Sequence, residues 1–160
     1  MGRGKAVAGR HTAQIDGDFV VFIIGAGVNI RHPIRSLRDL GGMRGMGYML
    51  KHLGNSPDKG LLHYEMPHPF YIVHYWRSFE HLEAFARDRD DPHSKAWRKY
   101  WERVGKDNRS PIWHETFLVR SGEYEAIYAN CKPRGLALAG QLVPVNESST
   151  ARLRIRRKAA

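Results

Sequence analysis

A chain of 160 residues with 42% hydrophobic side chains is long enough for one ordinary core and short for two. Its single cysteine, Cys131, excludes an intrachain disulfide and leaves no Cys-rich zinc motif, which fits a reducing cytoplasm. The formal charge of +10 sits at the ends: Arg3, Lys5 and Arg10 lie before residue 16, and Arg152, Arg154, Arg156, Arg157 and Lys158 lie after residue 147, while the body between holds 18 basic against 16 acidic residues. A near-neutral body argues against a specific nucleic-acid partner and leaves the tail non-specific contacts with anions.

Three parts are expected: a flexible N-terminal arm over residues 1–15, a single α+β domain of ferredoxin-like type over 16–145, and a basic, disordered tail over 146–160. Along the domain, "DFVVFIIGAGVNI" (residues 18–30) is β-branched and aromatic and reads as a buried strand. At ten residues its apolar run, "FVVFIIGAGV", is too short for a membrane span, which needs about 18–20. Asp16 and Asp18 precede it and no small-residue cleavage site follows, so neither a span nor a secretory leader is expected. "MGRGKA" lacks the Ser or Thr of a myristoylation signal. The "GAG" inside the strand is not a dinucleotide fingerprint, because Ile30 stands where the third glycine belongs; Gly25 and Gly27 instead allow a bend or a close backbone approach.

From Ile34 to Leu53, apolar residues at three- and four-residue spacing predict a helix, weakened by Gly41, Gly42, Gly45 and Gly47. "GLLHYEM" (60–66) and "FYIVHYW" (70–76) predict a hairpin. Ser78 is the natural cap of a helix in which Phe79, Leu82 and Phe85 or Ala86 face one way, and Asp91 and Pro92 open the next. "IWHETFLV" and "YEAIYAN" return to strand. On "IWHETFLV" both faces are apolar, so helices cover one and a second copy of the sheet would cover the other, giving a homodimeric α+β barrel with two-fold symmetry.

In the helix from Pro92, residues His93, Ala96, Trp97, Tyr100, Trp101 and Val104 form one face. His93 lies in the first turn, where the helix dipole favours neutral imidazole, the form that ligates metals. An ordinary core histidine bonded to a carbonyl fits the same position. His114, on the following strand, reads equally as a sheet-edge or dimer-contact residue, and neither histidine has zinc-site spacing. Cys131, at a strand end, is a weaker ligand candidate than His93.

The run "YWRSFEHLEAFARDRDDPHSKAWRKYWERVG", followed by "IWHETFLVRSGEYEAIYANCKPRGLALAG", resembles the monooxygenase-like family of dimeric α+β-barrel proteins that includes the fumagillin-pathway polyketide monooxygenase, over roughly residues 18–140. More distantly the region is similar to haem-containing aldoxime dehydratases, which have an "S-x-x-HLE" helix, then a helix histidine on haem iron, then a His-Glu pair on the next strand. The resemblance implies haem b, with His93 as axial ligand and His114, beside Glu115, as distal acid/base, 21 positions apart. The dehydratases' distal serine and arginine have no counterpart placed here. Trp97, Tyr100 and Trp101 with Met43, Met46 and Met49 are candidates to line the haem, and Arg31, Arg35 and Arg38 to meet its propionates, although each has an ordinary role as core or solvated residue.

Three functions follow as expectations. The first is a haem-dependent, oxygenase-type enzyme on a small, largely apolar substrate of secondary metabolism, with aldoxime-dehydratase-like N–O elimination as a variant. The second is a cofactor-free oxygenase with His114 or His74 as base, and the third is a non-catalytic haem or small-molecule carrier.

Overall fold

The computed structural model describes residues 5–90, 92–104, 109–146 and 150–155, and within these the side chains of residues 42–45 and of Pro92 are not described. The fold is α+β. Its main sheet joins β2 (Phe19–Ala26), β3 (Leu61–His68), β4 (Tyr71–Trp76) and β5 (Ile112–Val119), all antiparallel, in the order β3-β4-β2-β5. Between β2 and β3 run α1 (Pro33–Asp39) and α2 (Gly42–Gly54), and between β4 and β5 run α3 (Phe79–Arg87) and α4 (Pro92–Val104). Strand, helices, two strands, helices and strand in this sheet order make the ferredoxin-like arrangement.

Register fixes which side chains share a face. Phe22 pairs with His74 on one side and Thr116 on the other, and Val20 likewise pairs with Trp76 and Leu118. Directly paired residues point the same way, so Val20, Phe22, Ile24, His74, Trp76, His114, Thr116 and Leu118 stand on one face. The helices cover that face: Val20 and Trp76 are buried in one cluster with Leu53 of α2 and with Leu82 and Phe85 of α3. The Ser78 hydroxyl accepts from the His81 amide and caps α3 as expected. The expected Asp91 cap of α4 lies outside the described residues.

The single helix expected over residues 34–53 is two helices. Gly41 adopts φ +85°, the left-handed conformation that glycine tolerates best, and the chain turns there between α1 and α2. α1 is tied down by polar contacts: the Ser36 hydroxyl donates to the Arg109 carbonyl at 2.9 Å, and buried Asp39 faces Arg109 at 3.4 Å and accepts from Ser110 at 3.3 Å. Tyr100 of α4 donates to the Ser110 carbonyl at 2.7 Å, so one buried knot holds α1, α4 and the approach to β5 together.

Part of the expected arm is ordered. β1 (Arg10–Gln14) pairs with β7 (Gln141–Pro144) and with β6 (Tyr128–Ala129), forming a second, three-stranded sheet β6-β1-β7. Ala13 and Ile15 pack there with Phe19, Leu136 and Ala137, the last two from the short α5 (Leu136–Ala139). "YEAIYAN" yields only the two residues of β6, because Tyr124 turns inward, where its hydroxyl accepts from the Ile15 amide at 2.7 Å. Within the segment expected as a disordered tail, Ala151–Ile155 form a helical turn, α6, whose Arg154 pairs with Glu125.

This second sheet also alters the expected layering. It covers one end of the main sheet's other face, over Phe19, Val21 and Val119. Trp113 and Phe117, on that face of β5, remain 44% and 48% exposed. The Trp113 indole lies across Gly25, where an added Cβ would come within 2.4 Å of the ring, and the Gly27 amide donates to the Pro111 carbonyl at 2.8 Å. These are the close approaches that the two glycines allow.

Candidate functional site

The helix-covered face carries a row of aromatic rings that links the two principal histidines. Trp97 stacks near-parallel on His93 at 6.4 Å, His93 meets Phe85 at 5.7 Å, and Phe85 meets Trp76 at 5.7 Å. From there the row crosses the sheet, Trp76 to His74 at 6.1 Å, His74 to Phe22 at 5.7 Å and Phe22 to His114 at 5.3 Å. His93, His74 and His114 therefore share one side of the sheet.

His93 is half-buried, with Nδ1 3.1 Å from the Ala86 carbonyl at the end of α3. A carbonyl only accepts, so Nδ1 carries the proton, and in the neutral ring Nε2 is the bare nitrogen; it has no partner among the described residues. An ordinary core histidine would make this bond. A metal-ligating histidine would make it too, since the second nitrogen of such a ring is held by a carbonyl or carboxylate that orients it.

The helices leave part of this face open. α4 packs on α1, α2 and α3, whereas β5 packs mainly on β2. Leu118 of β5 is 70% exposed, His114 and Thr116 of the same strand face are exposed too, and Trp97 of α4 is 40% exposed. Exposed apolar groups of this kind mark a face that the helices do not fully cover.

His74 lies at the middle of the row and is 6% exposed, and neither ring nitrogen has a hydrogen-bond partner among the described residues. Burial pushes its pKa down to about 4, so the ring is neutral at physiological pH. The sequence offers a weak signal for this residue: in "YIVHYW" it occupies an inward position of an alternating strand.

The other predicted site residues divide. Trp97 and Tyr100 stack at 5.4 Å, and Trp101 meets Trp97 edge-on at 5.7 Å but is half-exposed. Met46 and Met49 are half-buried on α2, and the Met43 side chain lies outside the described residues. Glu115 is not brought to His114: it pairs with Ile23, and the alternation of a strand turns it to the opposite face. Arg31, Arg35 and Arg38 are exposed. The Arg38 carbonyl accepts from Arg103, ten residues and so about 15 Å along α4 from His93, which sets α1 against the far end of that helix. Cys131 is a free, half-buried thiol on the small-sheet side, its carbonyl accepting from the Val7 amide. No group of three or more His, Cys, Asp or Glu able to hold a metal ion occurs among the described residues, and no described helix is long and apolar enough to cross a membrane.

No curated protein matches the chain. Among solved structures, an aldoxime dehydratase, OxdRE, in complex with butyraldoxime superposes with a TM-score of 0.65 at 17% identity, over 88% of this chain. The chain spans 42% of the length of that protein, and the likeness establishes the fold. A family model for monooxygenase af470-like proteins matches residues 19–136. Since that match runs from the first residue of β2 to the first of α5, taking in the whole main sheet, the helices above it and all three histidines, the chain belongs to the monooxygenase af470-like family.

Proposed function

We propose that the chain is a haem-dependent, oxygenase-type enzyme acting on a small, largely apolar organic molecule, in which His93 would hold the iron and His114 would serve as acid/base. The observation that carries this reading is the His93 ring, whose Nδ1 is fixed on the Ala86 carbonyl and whose Nε2 has no partner among the described residues, on the face of the sheet that also carries His114. The residues present fit a haem in two respects, an oriented imidazole and a partly uncovered apolar face, while Arg31, Arg35 and Arg38 are exposed and no contact among the described residues brings them to His93 to meet the propionates. Bound there, haem b would supply redox or Lewis-acid chemistry at iron. This chain's own part is to hold the ring through His93, to bound the space with Trp97, Phe22, Thr116 and Leu118, and to hold or release a proton at His114.

Because the similar aldoxime dehydratase is described with butyraldoxime, dehydration of an N–O compound is a variant of this proposal on the same residues. A cofactor-free oxygenase has one observation of its own: His74 is a buried, neutral imidazole with neither nitrogen partnered among the described residues, so a substrate that reaches it would meet an unengaged nitrogen able to hydrogen-bond it. In either reading the chain acts as a homodimer in the cytoplasm, with a second copy covering Trp113 and Phe117.

Titration of the purified chain with hemin, followed by the Soret band, tests the assignment. The wild type is expected to bind one equivalent. His93→Ala should weaken retention by 100-fold or more with an unchanged far-ultraviolet circular dichroism spectrum, since the remaining stripe on α4 still packs. His114→Ala should keep the Soret band and lose turnover. Unchanged hemin binding in His93→Ala would overturn the axial assignment.

A further inference from the structure

The face of the main sheet opposite His93, His74 and His114 carries Tyr75, with His63 stacked on it at 6.4 Å. Between this face and the segment that carries α5 lies a hollow of about 450 Å³, within the range of pockets that take small molecules. Phe19, Val21 and Val119 make an apolar floor, and Glu65, Tyr75 and Tyr128 bring polar groups to one side.

These three are not spent on one another. The Tyr128 hydroxyl accepts from the Ala137 amide at 3.2 Å, which leaves its own proton to donate, and the Tyr75 hydroxyl has no hydrogen bond among the described residues. Glu65 uses Oε1 alone: it accepts from the Gly135 amide at 2.8 Å and faces the Arg134 guanidinium at 3.8 Å, which leaves Oε2 unengaged. Tyr75 and Glu65 converge at Gly135, where a Cβ would lie 2.8 Å from the Tyr75 hydroxyl and 3.9 Å from Glu65 Oε2. Gly135 adopts φ +52° and keeps that point open. Burial raises the pKa of both phenols, and each is raised further by Glu65, so they remain O–H donors at physiological pH.

We infer that this hollow is a binding site for a neutral molecule with an apolar body and a carbonyl oxygen, the oxygen accepting from Tyr75 and Tyr128 while the body lies on Phe19, Val21 and Val119. Two phenolic donors suit an acceptor, and with Glu65 paired to Arg134 and Glu125 also in the lining the hollow offers no net positive charge to an anion. The site lies across the sheet from His93 and does not depend on haem.

Two probes of one shape, 2-acetylnaphthalene and 2-ethylnaphthalene, and one anion, 2-naphthoate, test it on the full chain carrying 13C-labelled tyrosine rings. The ketone is expected to bind about 10-fold more tightly than the hydrocarbon, as one or two neutral hydrogen bonds allow, and to shift the Tyr75 and Tyr128 ring signals. The naphthoate should bind most weakly. The double variant Tyr75→Phe, Tyr128→Phe should bring the ketone to the hydrocarbon's affinity. Equal affinity of the two neutral probes for the wild type, absence of binding, or shifts confined to other tyrosines would each overturn the inference, whatever the stability of the variant.

Discussion

Trp76→Ala is expected to destabilise the fold by about 3–5 kcal/mol, enough to unfold most of a domain of ordinary stability. The indole is fully buried and is the junction of the ring row, touching Phe85 of α3 on one side and His74 of its own strand on the other. It is also in the buried cluster that ties β2 and β4 to α2 and α3. Removing it leaves a cavity that α3 cannot close without sliding, since Leu82 and Phe85 are anchored in the same cluster. Chemical denaturation followed by circular dichroism measures the loss. A midpoint within the equivalent of about 1 kcal/mol of wild type would mean that the helices repack freely and that the ring row is not what positions His93.

The second large effect is a proton's. His74 has a folded-state pKa of about 4, against an ordinary value of 6.5, because the charged ring cannot be solvated where it lies. The unfolded chain therefore binds this proton more readily, and stability rises with pH between the two values. The contribution is complete above pH 6.5 and is lost as pH falls toward 4, amounting to roughly 3 kcal/mol across that window. His74→Leu, close in volume, removes both the titration and two buried, unpartnered nitrogens. It should raise stability at pH 7 by about 1–3 kcal/mol and flatten the difference between neutral and acid conditions. Unfolding curves of the two proteins from pH 4 to 7 decide the matter: parallel curves would locate the acid sensitivity elsewhere. A variant that is more stable yet inactive would further indicate that the imidazole is retained for function at a cost to the fold.

The elements with strong periodicity were legible from sequence. The α4 stripe, the β3–β4 hairpin and the Ser78 cap follow from residue pattern alone, and alternation along β5 separates Trp113, Phe117 and Val119 from His114 before any coordinate is known. The same alternation, applied one residue further, turns Glu115 away from His114, whereas the family pattern of a His-Glu pair had joined them. The small sheet was not legible because its strands are short and its partners distant: "RHTAQ" has no apolar alternation strong enough to predict β1, and its pairing comes from residues 141–144. The glycine run after Leu40 read as a weakened helix, and only the backbone conformation of Gly41 makes it a break. His74 was visible as an inward strand residue, but the lack of any partner for its nitrogens depends on what neighbours it in space.

The pairing of β1 with β7 has a consequence for the order in which the molecule is built. Ala13 meets Leu142 across a chain separation of about 130 residues, so this ladder can close only when nearly everything between is in place. Within the main sheet only the β3–β4 hairpin is local, while β2 meets β5 across about 90–100 residues. The clasp made by β1 and β7 is short, four paired residues long, and native-state hydrogen exchange is expected to show its amides exchanging before those of the main sheet. The hollow lined by Tyr75 and Tyr128 shares this clasp, because Tyr128 belongs to β6, which pairs with β1, so opening of the clasp would loosen one wall of the hollow and leave the histidine row on the far face untouched.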